Sequence, residues 1–363
     1  MARLILVVVL LCFARVEGFL SRAPVALRGS GRLPCCSMHR GGRRMVPSQR
    51  AILMAQQRPG VVLDFDGVLC DSVADTTHAA FSAATMLWPE EMEAALALDP
   101  RECGVRKSWV GGDWSEYADD RRINEDIPRW LEEKMRQLRP VVSRGSDAVL
   151  AARLCVTDAV NSKTSTLGER PLAAGEIVEN WDVLRESMLF RIAHQAADLE
   201  ESFADQRPDT RIPFEEWATR NPVFPSIAAS IAETSAPIYV ITRRDVAFTQ
   251  KVLKRAGVNL PTDCIIFAER GRNKADLLKE IMDAVGDGET PLAYVDDNVN
   301  VVREVVGDLR LAGKLRVFFA EWGYSSPSQK AEAARFPRVT NVNTRQFAEV
   351  VLSAKEDESD ASK

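Results

Sequence analysis

Short apolar runs, three of which close on a polar residue, punctuate the chain. Val61-Val62-Leu63 runs straight into Asp64-Phe65-Asp66-Gly67, and Ile238-Tyr239-Val240-Ile241 ends on Thr242. Cys264-Ile265-Ile266-Phe267 follows, then Leu292-Ala293-Tyr294-Val295 ending on Asp296-Asp297, and Leu315-Arg316-Val317-Phe318-Phe319 is the last clear run. Runs this short, rich in β-branched and aromatic residues, read as buried parallel strands. Between them the apolar spacing turns helical. One helix passes through Val246, Val252 and Leu253 and stops near Gly257; one is capped by Asn273 and reaches Val285; one runs from Val301 to Ala312 and is stopped by Gly313. Strand–helix alternation of this kind predicts a doubly wound parallel sheet with helices on both faces, the α/β class.

The interval from Asp71 to about Pro222 breaks that rhythm and reads as helix throughout. Ile177, Trp181, Leu184, Met188 and Ile192 recur at three- and four-residue spacing, which predicts one amphipathic helix over Glu176–Gln195. Pro89 suits a first helical turn, and Glu90 and Glu91 suit its positive end. Ser146 and Asp147 can cap a helix through Val149, Ala152 and Val156. The expected organisation is a core of residues 59–72 and 223–353, a helical domain of residues 73–222 inserted after the first strand, and an acidic, disordered tail at 354–363.

The first 58 residues differ from the rest. Leu4 to Phe13 is an apolar run of ten behind Arg3, with small residues near Gly18. That suits a signal peptide over residues 1–18 and is too short to span a bilayer. Residues 19–58 carry arginine and serine without acid, as transit peptides do. A signal peptide followed by such a segment beginning at Phe19 resembles the bipartite presequences of algae with secondary plastids, which implies a plastid location, with secretion as the alternative. Ten of the 47 basic residues and one of the 52 acidic residues fall in 1–58, leaving 37 basic against 51 acidic beyond it. A body this acidic argues against nucleic acid and against stable membrane association after processing. The seven cysteines form no Cys-x-x-Cys pair, and the chain holds three histidines, so neither zinc nor a disulfide framework is indicated.

The chemistry gathers at the strand ends. Residues i and i+2 of a strand point the same way, so Asp64 and Asp66 leave the first strand together, which is costly unless a cation or a proton relieves the repulsion. Gly67 permits a sharp turn there. Parallel strands bring Asp64, Asp66, Thr242, Asp296 and Asp297 to one edge of the sheet, and Lys274 opens the helix after the third strand, misplaced against the helix dipole unless it serves a ligand. Arg243 and Arg244 sit at a positive helix end in the same way, and Arg243 is a candidate substrate contact.

This set, in this order, resembles the haloacid dehalogenase-like superfamily over about residues 60–340. The resemblance implies a Rossmann-like core with an all-helical cap. It implies Asp64 as nucleophile, forming an aspartyl-phosphate, and Asp66 as general acid and base whose backbone carbonyl also touches the metal. Mg²⁺ would be held by Asp64 with Asp297, and with Asp296 beside it; Thr242 and Lys274 would bind the phosphoryl group. Dehalogenases of the superfamily generally lack the second aspartate, so Asp66 points to hydrolysis of a small phosphorylated metabolite. A phosphomutase, or a non-catalytic protein on the same fold, are the alternatives. In the family the insertion is a mobile lid, and Arg139, Arg144 with Gly145, and the Trp109–Trp114 loop are candidate lid contacts.

Overall fold

The computed structural model describes residues 60–98, 103, 127–166, 169–207, 213–269, 272–285 and 292–349. The presequence at 1–58, the Trp109–Trp114 loop and the tail at 354–363 lie outside the described residues.

Strand β1 (Val61–Asp64) is followed by helices α1 (Val73–Leu87), α2 (Pro89–Glu93), α3 (Arg129–Leu138), α4 (Gly145–Thr164), α5 (Ala174–Glu179), α6 (Trp181–Arg191), α7 (Ala196–Asp205), α8 (Phe214–Thr219) and α9 (Pro225–Glu233). Then come β2 (Ile238–Thr242), α10 (Val246–Arg255), β3 (Ile265–Phe267), α11 (Lys274–Val285), β4 (Leu292–Asp296), α12 (Val299–Gly307), β5 (Leu315–Ala320), α13 (Pro327–Ala333) and β6 (Val339–Val342). The six strands form one sheet in the order β3-β2-β1-β4-β5-β6, parallel throughout. β1 lies between β2 and β4, where the strand order reverses and such sheets open a crevice at their carboxyl ends.

The two-residue period of the strands divides the core. Val61, Leu63, Val240 and Val295 face one layer with Ile227 and Ile231 of α9 and Val252 and Leu253 of α10. Val62, Tyr239, Ile241 and Tyr294 face the other, with Leu277, Leu278 and Ile281 of α11 and Val302 and Val305 of α12. Both faces of the sheet are therefore covered, which is why its central strands β1, β2 and β4 read as unbroken apolar runs. Each fully buried Leu, Ile, Val or Phe contributes on the order of 1.5–3 kcal/mol.

No strand occurs among the described residues of 71–222. The two chain crossings into this helical insert are stitched side by side: the Asp71 amide donates to the Pro222 carbonyl (2.9 Å) and the Phe224 amide to the Leu69 carbonyl (2.9 Å). Within the insert, α4 is buried along most of its length and packs on α1, α3 and α7. Gly145 lets α4 start against the Phe203 ring, which a Cβ there would overlap. Asp147 Oδ2 accepts from the amides of Ser143 (3.2 Å) and Arg144 (3.0 Å) at the start of α4.

Three expectations change. The helix expected over Glu176–Gln195 is two, broken at Asn180, whose Nδ2 donates to the Glu176 carbonyl (2.8 Å), and Ile192 is already extended. The side chain competes with the helical ladder there, as asparagine tends to. The helix expected over Val301–Ala312 starts earlier, at the Asn298 cap, ends at Gly307, and passes into a 3₁₀ turn at Leu309–Leu311 started by Asp308. β6, a polar edge strand containing Thr340 and Asn341, was not expected at all. As expected, α10 gives way to Gly257 at φ +85°, and Asn273 Oδ1 accepts from the Asp276 amide (2.8 Å) in the first turn of α11.

Candidate active site

The ends of β1 and β4 bring three carboxylates together. Asp64, Asp296 and Asp297 each offer an oxygen within 4.8 Å of the others. Lys274, at the start of α11, lies among them: its Nζ is 2.8 Å from Asp64 Oδ1 and 2.8 Å from Asp296 Oδ2. Three carboxylates facing one ammonium leave two negative charges in a buried space. Burial, and then the neighbouring carboxylates, push Asp64 and Asp297 well above the ordinary carboxylate range. Lys274 is held firmly protonated, since its two carboxylate partners overrule the effect of burial. A hard-oxygen set with this surplus fits a divalent cation such as Mg²⁺.

The two adjacent aspartates are not equivalent. Asp296 is the more engaged: Oδ2 accepts from Lys274 and from the Tyr294 hydroxyl, and Oδ1 from the Asn298 amide (2.8 Å). Asp297 Oδ2 accepts the Tyr324 amide (2.5 Å). It is wedged between two glycines, since a Cβ on Gly67 or on Gly323 would overlap its side chain. Gly67 also has φ +90°, a conformation other residues adopt at a cost. The polypeptide is thus cut away on two sides to seat one carboxylate, and Asp297 has more capacity left for a cation than Asp296.

Asp66 leaves the strand end in company with Asp64 but meets a different cation. Arg244 Nε lies 2.8 Å from its Oδ1 and 3.1 Å from its Oδ2, while Arg244 Nη1 donates to Asp75 Oδ2 at 2.9 Å. Burial would raise the Asp66 carboxyl, but Arg244, Arg207 and Arg139 overrule it and bring it down to about 2. The Asp66 side chain therefore stands outside the three-carboxylate cluster. Thr242 is buried at the end of β2, and its Oγ1 accepts from the Arg244 amide (3.0 Å); α10 is capped instead by Asp245, whose Oδ1 accepts from the Phe248 amide (3.0 Å).

Arg243 is not among these groups. It is exposed, with Nη1 reaching the Ser143 carbonyl of the insert (3.3 Å). Two consecutive residues after a strand point to opposite sides, and Arg244 takes the inward one. Of the insert's candidates, Arg144 is exposed and Gly145 is spent on packing. Arg139 does face the site: its guanidinium lies 4.6 Å over the Tyr324 ring, and Nη1 donates to the Val142 carbonyl (2.8 Å).

Sequence reasoning missed Arg207, Asp75, Tyr294 and Tyr324. Tyr324 ties the site to the insert: its hydroxyl donates to Asp71 Oδ1 (2.9 Å) and accepts from the Ser72 amide (2.6 Å), while Asp71 Oδ2 takes Arg136 of α3 (2.9 Å). Only Arg244 left a signal in the sequence, as a cation against a positive helix end.

No protein-family model matches the chain, and no curated protein matches it. Solved structures with distant likeness include a haloacid dehalogenase-like protein from Agrobacterium tumefaciens, 13% identical over 82% of this chain and 99% of that one, with a TM-score of 0.41. Others are a haloacid dehalogenase-like hydrolase from Streptococcus pneumoniae (13% identity, 81% and 98% coverage, TM-score 0.40) and a hydrolase of that family from Deinococcus radiodurans with bound phosphate and sodium (12%, 83% and 97%, TM-score 0.38).

Proposed function

We propose that the protein is a phosphate-monoester hydrolase of the haloacid dehalogenase-like type, dependent on Mg²⁺ and acting through an aspartyl-phosphate on Asp64. The observation that carries this reading is the buried group of Asp64, Asp296 and Asp297 around Lys274 at adjoining strand ends. Asp64 and Asp297 would hold the cation, with the Asp66 backbone carbonyl and Asp296 beside them. When bound, it would offset the charge that keeps these carboxylates apart and draw the phosphoryl oxygens toward Asp64.

The chain's own groups supply the remainder. Asp64 must attack as the anion, and Lys274, fixed 2.8 Å from its Oδ1, favours that form. Attack on phosphorus breaks the ester bond, and the leaving oxygen takes a proton from Asp66, which later accepts one from the water that cleaves the aspartyl-phosphate. In the state described, Arg244 holds Asp66 deprotonated. A substrate anion beside this guanidinium would compete for it and free Asp66 to carry a proton. Thr242 and Lys274 would bind the phosphoryl oxygens, since phosphoryl transfer depends mostly on position and charge neutralisation. Arg243, exposed and turned to the insert, is left out of this scheme.

The test is turnover of a generic aryl phosphate with and without Mg²⁺, beside Asp64→Asn. Metal-dependent release of phosphate that Asp64→Asn abolishes supports the reading; equal background rates in wild type and variant across a broad phosphometabolite panel overturn it.

A further inference from the structure

Three arginines meet beside Asp66. Arg139, in the turn after α3, and Arg207, just past α7, come from the insert, while Arg244 comes from the loop after β2. Arg139 stands over the ring of Tyr324, whose hydroxyl touches Asp71 Oδ1 and the Ser72 amide. Their counter-charges are fewer. Arg244 engages Asp66 and Asp75, and Arg207 stands 3.9 Å from the same Asp75 oxygen. The nearby Asp71 is engaged by Arg136. Arg244 and Arg207 thus share two carboxylates, while Arg139 donates to the Val142 carbonyl.

Their hydrogen-bonding capacity is also unfilled. Arg139 Nε, Arg207 Nε and Arg244 Nη2 are buried nitrogens without a hydrogen-bond partner among the described residues. The Arg139 and Arg207 guanidiniums rest over the Tyr324 and Phe203 rings, 4.6 and 5.0 Å from the ring centres, which fixes their planes. Guanidiniums held flat, in positive surplus and with open N–H groups, are suited to a planar or tetrahedral anion.

We propose that Arg139, Arg207 and Arg244 form a second anion subsite, so that the preferred substrate is a phosphate monoester carrying a further anionic group, carboxylate or phosphate, a few bonds from the ester oxygen. The proposal rests on the phosphate-ester reading for the position of the first phosphate. The chain bounds the spacing: Asp66 follows the last residue of β1, Asp64, by two positions, a reach of at most about 7 Å. Because two of the three arginines belong to the insert, the insert selects substrate by charge.

Three phosphate esters on a two-carbon skeleton separate the possibilities: 2-hydroxyethyl phosphate, phosphoglycolate and 1,2-ethanediol bisphosphate. The expected kcat/KM with Mg²⁺ for at least one charged ester exceeds that of the neutral one by tenfold or more, and the better of the two identifies the second group. Arg207→Gln and Arg139→Gln should each bring this ratio toward one, chiefly through KM. A ratio near one in wild type overturns the proposal. So does a uniform fall for all three esters in both variants, which marks the arginines as a clamp between insert and sheet. Thermal-shift binding of the same esters to Asp64→Asn separates the two readings. Charged-ester selectivity there without wild-type hydrolysis keeps the subsite and removes the hydrolase; hydrolysis without selectivity in either assay does the reverse.

Discussion

Replacing Arg244 by methionine should destabilise the protein by about 3–5 kcal/mol, the usual cost of stranding the partner of a buried ion pair. The structure sets the scale. Arg244 is 4% exposed and Asp75 1%, with Nη1 and Oδ2 2.9 Å apart. At an effective dielectric of about 20, two unit charges at that distance attract by about 6 kcal/mol, part of which desolvation has already consumed. Asp66 gives a second figure: against the upward effect of burial, three arginines bring its carboxyl from the ordinary value to about 2, a net displacement of about two pH units, or roughly 2.5 kcal/mol. The assay is urea unfolding of wild type, Arg244→Met, Asp75→Asn and the double variant. A coupling of about 2–3 kcal/mol is expected, because Asp75→Asn removes the charge that Arg244→Met strands. The coupling should survive 1 M salt, which screens exposed pairs and spares buried ones. A depressed carboxyl stabilises the fold above its unfolded value and loses that contribution as pH falls through the folded one. Wild type should therefore lose stability faster than Arg244→Met between about pH 4 and pH 2. An Arg244→Met variant within 1 kcal/mol of wild type, or strict additivity in the cycle, refutes the reasoning.

Asp64 and Asp297 titrate in the opposite sense. With folded values raised above the unfolded ones, the metal-free fold binds extra protons and loses stability as pH rises from about 4 to about 8. The rise in melting temperature on adding Mg²⁺ should accordingly be larger at pH 8 than at pH 5.5, with proton uptake by the buffer on binding; an equal rise at both contradicts this. Gly67→Ala places a methyl against Asp297 at a positive φ, so Mn²⁺ affinity measured by equilibrium dialysis should fall by about 10- to 100-fold, the usual effect of disturbing a ligand's support. Residues 1–58 fused to a fluorescent protein should carry it into the plastid of a secondary-plastid alga; export to the medium would favour secretion instead.

The sheet was legible because its central strands are buried on both faces and so appear as apolar runs that no polar residue interrupts, as at Val61–Leu63 and Leu292–Val295. β6 was not, since an edge strand tolerates polar residues and Val339-Thr340-Asn341-Val342 has no run to detect. The α5–α6 break at Asn180 was hidden because Ile177, Trp181 and Leu184 stay buried across it and keep the helical spacing. Of the site, the residues on strand ends and helix starts were readable from position alone: Asp64, Asp296, Asp297 and Lys274 converge because the topology requires it, and Thr242 ends the neighbouring strand β2. Arg207 and Tyr324 were not, as each reaches the site by long-range packing of the insert or the β5 loop, which one sequence does not encode locally. The choice between Arg243 and Arg244 turned on the direction of a single backbone step after β2.

The account stands on Asp64 receiving the phosphoryl group. Asp66→Asn, slowed in hydrolysis of the intermediate, should be incubated with Mg²⁺ and a ³²P-labelled aryl phosphate, whose leaving group needs no proton from Asp66, then acid-quenched and treated with borohydride to convert an acyl-phosphate into homoserine. Label that requires Mg²⁺ and homoserine at position 64, both absent from Asp64→Asn, are the expected result. Phosphate release by wild type with no label trapped, or with label on another residue, would contradict it.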